Sequence, residues 1–136
     1  MADTNGFLNY YLFKEPAYNT FNPDYAAKTP SKLLSVERVE MFTLREILGK
    51  HLPLGQSIDF LTVDVEGFDE LVLRSNDWSR YRPKYVLAEV FGVSDIEIVI
   101  KSSISKYMRS VGYLVVGKTV NTVFFKDRGI SNASNQ

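Results

Sequence analysis

The chain has no cysteine among its 136 residues, which excludes a disulfide scaffold and any thiolate zinc site. It has one histidine, His51, so a metal site built on several histidines is excluded as well. It lacks an excess of either charge, since 16 basic and 16 acidic side chains cancel. No electrostatic case for nucleic acid or an anionic membrane surface arises from that balance. No apolar run approaches the roughly 18 residues of a membrane span. The opening residues, Met1 to Gly6, lack the basic start and apolar stretch of a secretory signal. A soluble cytoplasmic domain is the expectation. Neither a G-x-G-x-x-G nor a Walker pattern occurs, and no internal repeat is visible.

What the chain does have is a core. Hydrophobic residues make up 45% of it, and Leu, Ile, Val and Phe alone about a third, well above the roughly 20% typical of disordered chains. The length suits one domain. Phe7 to Phe13 reads as a strand rich in aromatic residues. Pro16, Pro23 and Pro30 then break Glu15 to Ser31 into loop or short helix. Val39 and Met41 alternate with charged neighbours, which predicts a short half-exposed strand. Thr43 and Glu46 form a capping-box pattern for a helix carrying Leu44, Ile47, Leu48 and Leu52, ended by Pro53 and Gly55.

Ile58 to Val63 reads as a buried strand running into an acidic turn, Asp64-Val65-Glu66-Gly67, and a short helix with Phe68, Leu71 and Val72. Tyr85 to Phe91 is a second apolar run, of the kind that suits a parallel strand buried on both faces. Ser94 and Glu97 open a single long helix through Val111, with Gly112 as its left-handed cap. Tyr113 to Val116 and Val120 to Phe125 follow as a hairpin joined by Gly117-Lys118-Thr119. The order predicts an α/β fold whose mostly parallel sheet gains one antiparallel strand from the C-terminal hairpin. Ligands of such sheets bind beyond the carboxyl ends of the strands. That places Asp64, Glu66 and Phe91-Gly92 at a candidate site. Residues from Asp127 to Gln136 read as a loose tail.

Asp64 and Glu66 are the sharpest chemical feature. Two neighbouring carboxylates raise one another's pKa, which suits a general base. The same residues also serve as acids at the start of a helix, complementing its dipole. Spacing alone leaves both readings open. Glu89, inside an apolar strand, either faces a ligand at the sheet's mouth or pairs with Arg82 or Lys84. His51, at a helix C-terminus, fits the dipole there. Tyr10, Tyr11 and Tyr18 either stack on a ligand or pack.

The segment from Ile58 to Asp69, reading IDFLTVDVEGFD, resembles the signature of the FkbM-family methyltransferases. The resemblance continues through Leu71 to Trp78, Tyr81 to Lys84 and Glu89-Val90, and more weakly at Gly112-Tyr113. Upstream it includes Leu8 to Phe21 and Thr43 to Leu48. It covers residues 3 to 126, nearly the whole chain, and the signature is contiguous.

The resemblance implies a Rossmann-like class I methyltransferase fold and S-adenosylmethionine as the methyl donor. It implies methyl transfer to a hydroxyl of a small-molecule or glycan acceptor, such as a sugar or natural product. Asp64 and Glu66 match the family's acidic motif, with Asp64 and Val65 beside the donor. Glu89, Asn19 and Tyr11 are the acceptor-side candidates. No metal is expected, because no second and third ligand accompany Asp64. The family's first strands, with the donor-binding loop, have no counterpart here. Residues 1–126 are therefore expected to form a partial domain with an exposed sheet edge open to homo-oligomerisation. A non-catalytic half-domain serving dimerisation or partner binding is the alternative.

Overall fold

Gly6–Phe13 (β1) and Leu33–Met41 (β2) form a two-stranded antiparallel sheet, with Gly6 opposite Met41 and Leu12 opposite Ser35. The computed structural model describes residues 6–65, 67–90 and 95–130. β2 is longer than the short strand expected around Val39 and Met41. Pairing with β1 draws in residues 33–38 even though most of β2 is exposed. The proline-broken stretch between the strands holds a single 3-10 turn, Pro16–Tyr18, and a short helix, Pro23–Lys28 (α1). Asn22 caps α1 by accepting the Asp24 and Tyr25 N–H groups, and Pro23 supplies a preset first position.

Leu44–His51 (α2) starts with the capping box read from the sequence. The Thr43 hydroxyl accepts the Glu46 N–H at 3.3 Å, and the Glu46 carboxylate accepts the Thr43 N–H at 3.1 Å. Each side chain thereby serves the other residue's backbone N–H, the reciprocal pairing of a capping box.

The second sheet contains Phe60–Val63 (β3), Tyr85–Glu89 (β4), Tyr113–Lys118 (β5) and Thr122–Asp127 (β6), in the order β3-β4-β6-β5. β3 and β4 are parallel, joined by a crossover that contains Asp69–Arg74 (α3). The other two ladders, β4 with β6 and β5 with β6, are antiparallel. The fold is thus mixed α/β, and the mostly parallel sheet expected is met only at β3/β4. The expected hairpin is the reason: it folds back so that β6 rather than β5 lies against β4. Its turn also falls later than Gly117-Lys118-Thr119. A bulge between Val115 and Gly117 carries β5 on to Lys118, and Thr119 donates to the Thr122 carbonyl at 2.8 Å.

β4 alternates buried and half-buried residues, so only one of its faces is fully covered. On that face Val86, Ala88, Val123 and Phe125 pack with Leu73 of α3 and with residues of two further helices, Ile96–Lys101 (α4) and Ser103–Ser110 (α5). Trp78 closes this core. Its indole N–H donates to the Leu73 carbonyl at 3.1 Å and to the Tyr107 hydroxyl at 2.9 Å, which satisfies the polar handle of a buried ring.

The single helix expected from Ser94 to Val111 is two helices. Ser102 breaks it with an extended backbone, ψ 160°. Its hydroxyl donates to the Val99 carbonyl at 2.7 Å and accepts the Ser105 N–H at 3.3 Å. One serine thereby ends α4 and caps α5. Asp95 stands at the N-cap of α4, while Ser94 lies outside the described residues. Gly112 follows α5 at φ 94°, the left-handed conformation expected of it.

β6 runs one residue into the stretch read as a loose tail. Asp127 is buried and accepts two hydrogen bonds from Arg82, at 2.6 and 3.1 Å. Arg128 then donates to the Gly112 carbonyl at 3.0 Å. Residues 131–136 lie outside the described residues.

Candidate functional site

The candidate site lies where β3 ends beside parallel β4. β3 starts at Phe60 rather than Ile58 and is not the buried strand expected: as an edge strand it has a neighbour on one side only, so of its four residues Val63 alone is buried, and the next residue, Asp64, is exposed. The chain then turns. The Val65 carbonyl accepts the Phe68 N–H at 3.2 Å, and Gly67 sits at φ 91°. A Cβ at Gly67 would meet open space, so the turn needs glycine for its backbone conformation rather than for a close approach. Glu66, the second carboxylate of the motif, lies outside the described residues, as do Phe91 and Gly92.

Asp64 does not cap the helix that follows. Phe68 occupies the N-cap of α3 with no side-chain cap hydrogen bond, and the acids in the first turn are Asp69 and Glu70. Asp64 is four residues further back and faces solvent. Glu70 is held below its ordinary pKa: burial pushes it up, and hydrogen bonds from Ser103 and Arg74 outweigh that.

Glu89 is half-buried and ends β4. The cations suggested for it are bound elsewhere. Arg82 is taken by Asp127, and Lys84 pairs with Asp59 at 2.6 Å beside the opposite end of β4. Glu89 is tied to the turn instead through its backbone, whose N–H donates to Asp69 Oδ1 at 3.0 Å. Asp69 is the residue that sequence reasoning passed over. It is 2% exposed, and its Oδ2 has no hydrogen-bond partner among the described residues. In the sequence it reads as one more acid in a helix's first turn. A signal was present only in the acidic residues standing at 64, 66 and 69, more than one helix dipole needs.

The acceptor-side candidates Asn19 and Tyr11 lie on the β1–β2 unit. Asn19 Oδ1 accepts the Phe13 N–H at 2.8 Å, and Tyr11 exchanges backbone hydrogen bonds with Thr20. Strand alternation puts Tyr11 on the face opposite Leu8 and Tyr10. Tyr10 packs on Phe21 at 4.6 Å, and Phe21 meets Phe68 edge-on at 6.4 Å. This aromatic line joins the hairpin to the acidic turn. Where the two meet, they line a half-open cavity of about 410 Å³. His51 is exposed in the last turn of α2.

Among the described residues, no three metal-ligating side chains cluster, and no helix is long and apolar enough to cross a membrane. A family model described as "Methyltransferase FkbM domain" matches residues 2–115 of the chain. No curated protein and no solved structure matches it.

Proposed function

The chain belongs to the FkbM methyltransferase domain family, and we propose that it serves methyl transfer from S-adenosylmethionine to a hydroxyl of a sugar or natural-product acceptor. The observation that carries this reading is Asp64. It is an exposed carboxylate at the carboxyl end of β3, beside parallel β4, on a turn that Gly67 allows. Open α/β sheets bind ligands at such ends. The parallel β3–α3–β4 crossover, with reversed β6 inserted before β5, supports a Rossmann-like reading of this part of the fold.

Asp64 and Val65 are the residues that would hold the reactive end of the donor, since the exposed Asp64 carboxylate complements a positive sulfonium, and bound S-adenosylmethionine would supply an electrophilic methyl there. Asp64 would orient the acceptor hydroxyl and take its proton while the methyl–sulfur bond breaks, leaving a neutral thioether, and the carbon–oxygen bond forms, a role worth about 10²-fold or more. Holding that oxygen in line contributes further through alignment. Glu66 shares the acidic character of the turn, and Glu89 is the acceptor-side group at the end of the neighbouring strand. The test is Asp64→Asn in a catalytically active form of the protein, read by turnover and melting temperature together.

A second reading, a half-domain that associates through its sheet, is favoured by one observation. Phe60 is 66% exposed on edge strand β3, and Leu114 and Val116 of edge strand β5 are exposed as well. An apolar edge of this kind invites pairing with a second copy.

A further inference from the structure

The cavity between the hairpin and α3 shares a wall with the acidic turn. Leu8, Val39 and Met41 line it from the hairpin; Val65, Phe68 and Leu71 line it from the turn and α3. Val65 and Phe68 flank the turn residues 66 and 67. Of the polar residues lining it, Glu40 is exposed, and the hydroxyls of Thr43 and Ser75 are already engaged. Thr43 donates to the Glu46 carboxylate at 2.7 Å and accepts the Glu46 N–H. Ser75 donates to the Val72 carbonyl at 2.7 Å and accepts the Leu44 N–H at 2.9 Å.

The walls therefore offer dispersion contact and few unmet hydrogen bonds. A charged group held against these walls would lose part of its hydration with little compensation. At about 410 Å³ the volume lies within the range of small-molecule pockets, roughly 300–1,000 Å³.

We propose that this cavity takes the uncharged apolar part of the acceptor, an alkyl or aryl group, while the acceptor's hydroxyl faces Asp64. The proposal rests on the methyl-transfer reading and specifies the acceptor's chemistry. The probe is a series of n-alkanols, butanol to octanol, titrated into the isotope-labelled 136-residue chain and followed by amide NMR shifts. Saturable shifts are expected at Met41, Leu71 and Asp64, with binding about fourfold tighter per added methylene until the cavity is full. Octanoate, with a similar tail and a charge, should bind at least tenfold more weakly than octanol.

Leu71→Trp should weaken octanol binding tenfold by filling the space. Met41→Trp, from the opposite wall, repeats the test should the first variant not fold. Shifts confined to the exposed Leu54 and Val120, equal binding of octanoate, or unchanged binding in both variants would overturn the proposal. So would cavity shifts that leave Asp64 unmoved. Shifts that track protein concentration without alkanol would also overturn it, by assigning the cavity to a second copy. Alkanol binding requires neither donor nor turnover. Its loss therefore leaves methyl transfer standing, whereas an inactive complete enzyme that still binds octanol counts against methyl transfer itself.

Discussion

Asp69 Oδ1 accepts the backbone N–H of Glu89 at 3.0 Å, across twenty residues of sequence. This bond fastens the start of α3 to the end of β4, and so sets the acidic turn against the strand that carries Glu89. Asp69→Ala should leave the Glu89 N–H without its partner, at a cost of about 1–3 kcal/mol. Asp69→Asn keeps the accepting oxygen and should cost less. Urea unfolding measures both, and an alanine variant as stable as the parent chain would show that the bond contributes nothing net.

Asp64→Asn separates chemistry from stability. In a catalytically active form of the protein, it should lower turnover about 10²-fold or more, the usual scale for a positioned base. The residue is exposed and does not cap α3, so the melting temperature should hold. Unchanged turnover would move the proton-accepting role to another group, with Glu66 the first to test.

The 136-residue chain alone should bind S-adenosylmethionine weakly. It has the acidic turn, but its sequence contains no glycine-rich loop of the G-x-G-x-x-G kind. Calorimetry returning a Kd of about 1 μM, near −8 kcal/mol, would show that another segment or a second copy completes the donor site.

Acid should weaken the C-terminal strand. Two hydrogen bonds from Arg82 hold the Asp127 carboxyl below its ordinary pKa, and the same pair raises that of Arg82. A carboxyl with a lowered folded pKa contributes stability above its unfolded value, about pH 4. That contribution is lost as pH falls through the folded value. Melting temperature should therefore drop below about pH 4, and Asp127→Asn should flatten that drop while lowering the plateau above it. Parallel profiles for the two proteins would mean that other carboxylates govern the acid limb.

Phe60→Glu tests association through the sheet. If β3 pairs with a second copy, the parent chain should sediment as a dimer and the variant as a monomer. A parent chain that stays monomeric at high concentration would remove this reading.

The sequence by itself determined what neighbouring residues decide among themselves. The Thr43–Glu46 capping box, the three-proline loop and the left-handed Gly112 were all legible, because each rests on contacts within a few residues; a strand running into Asp64 was legible too, but its exposure was not, since only the sheet order makes β3 an edge strand. The contiguous signature from Ile58 to Asp69 also carried the family. The serine break at Ser102 escaped because apolar spacing continues across it, and only the extended backbone and the hydrogen bonds of its hydroxyl reveal the stop. Tertiary structure alone decided that β6 lies against β4, that Arg82 binds Asp127 rather than Glu89, and that Asp69 is buried under the end of β4. Those outcomes depend on groups brought together from distant parts of the chain, where strand pairing and desolvation outweigh any local preference. The cavity belongs with them, since its two walls come from a hairpin and a helix that share no local sequence pattern.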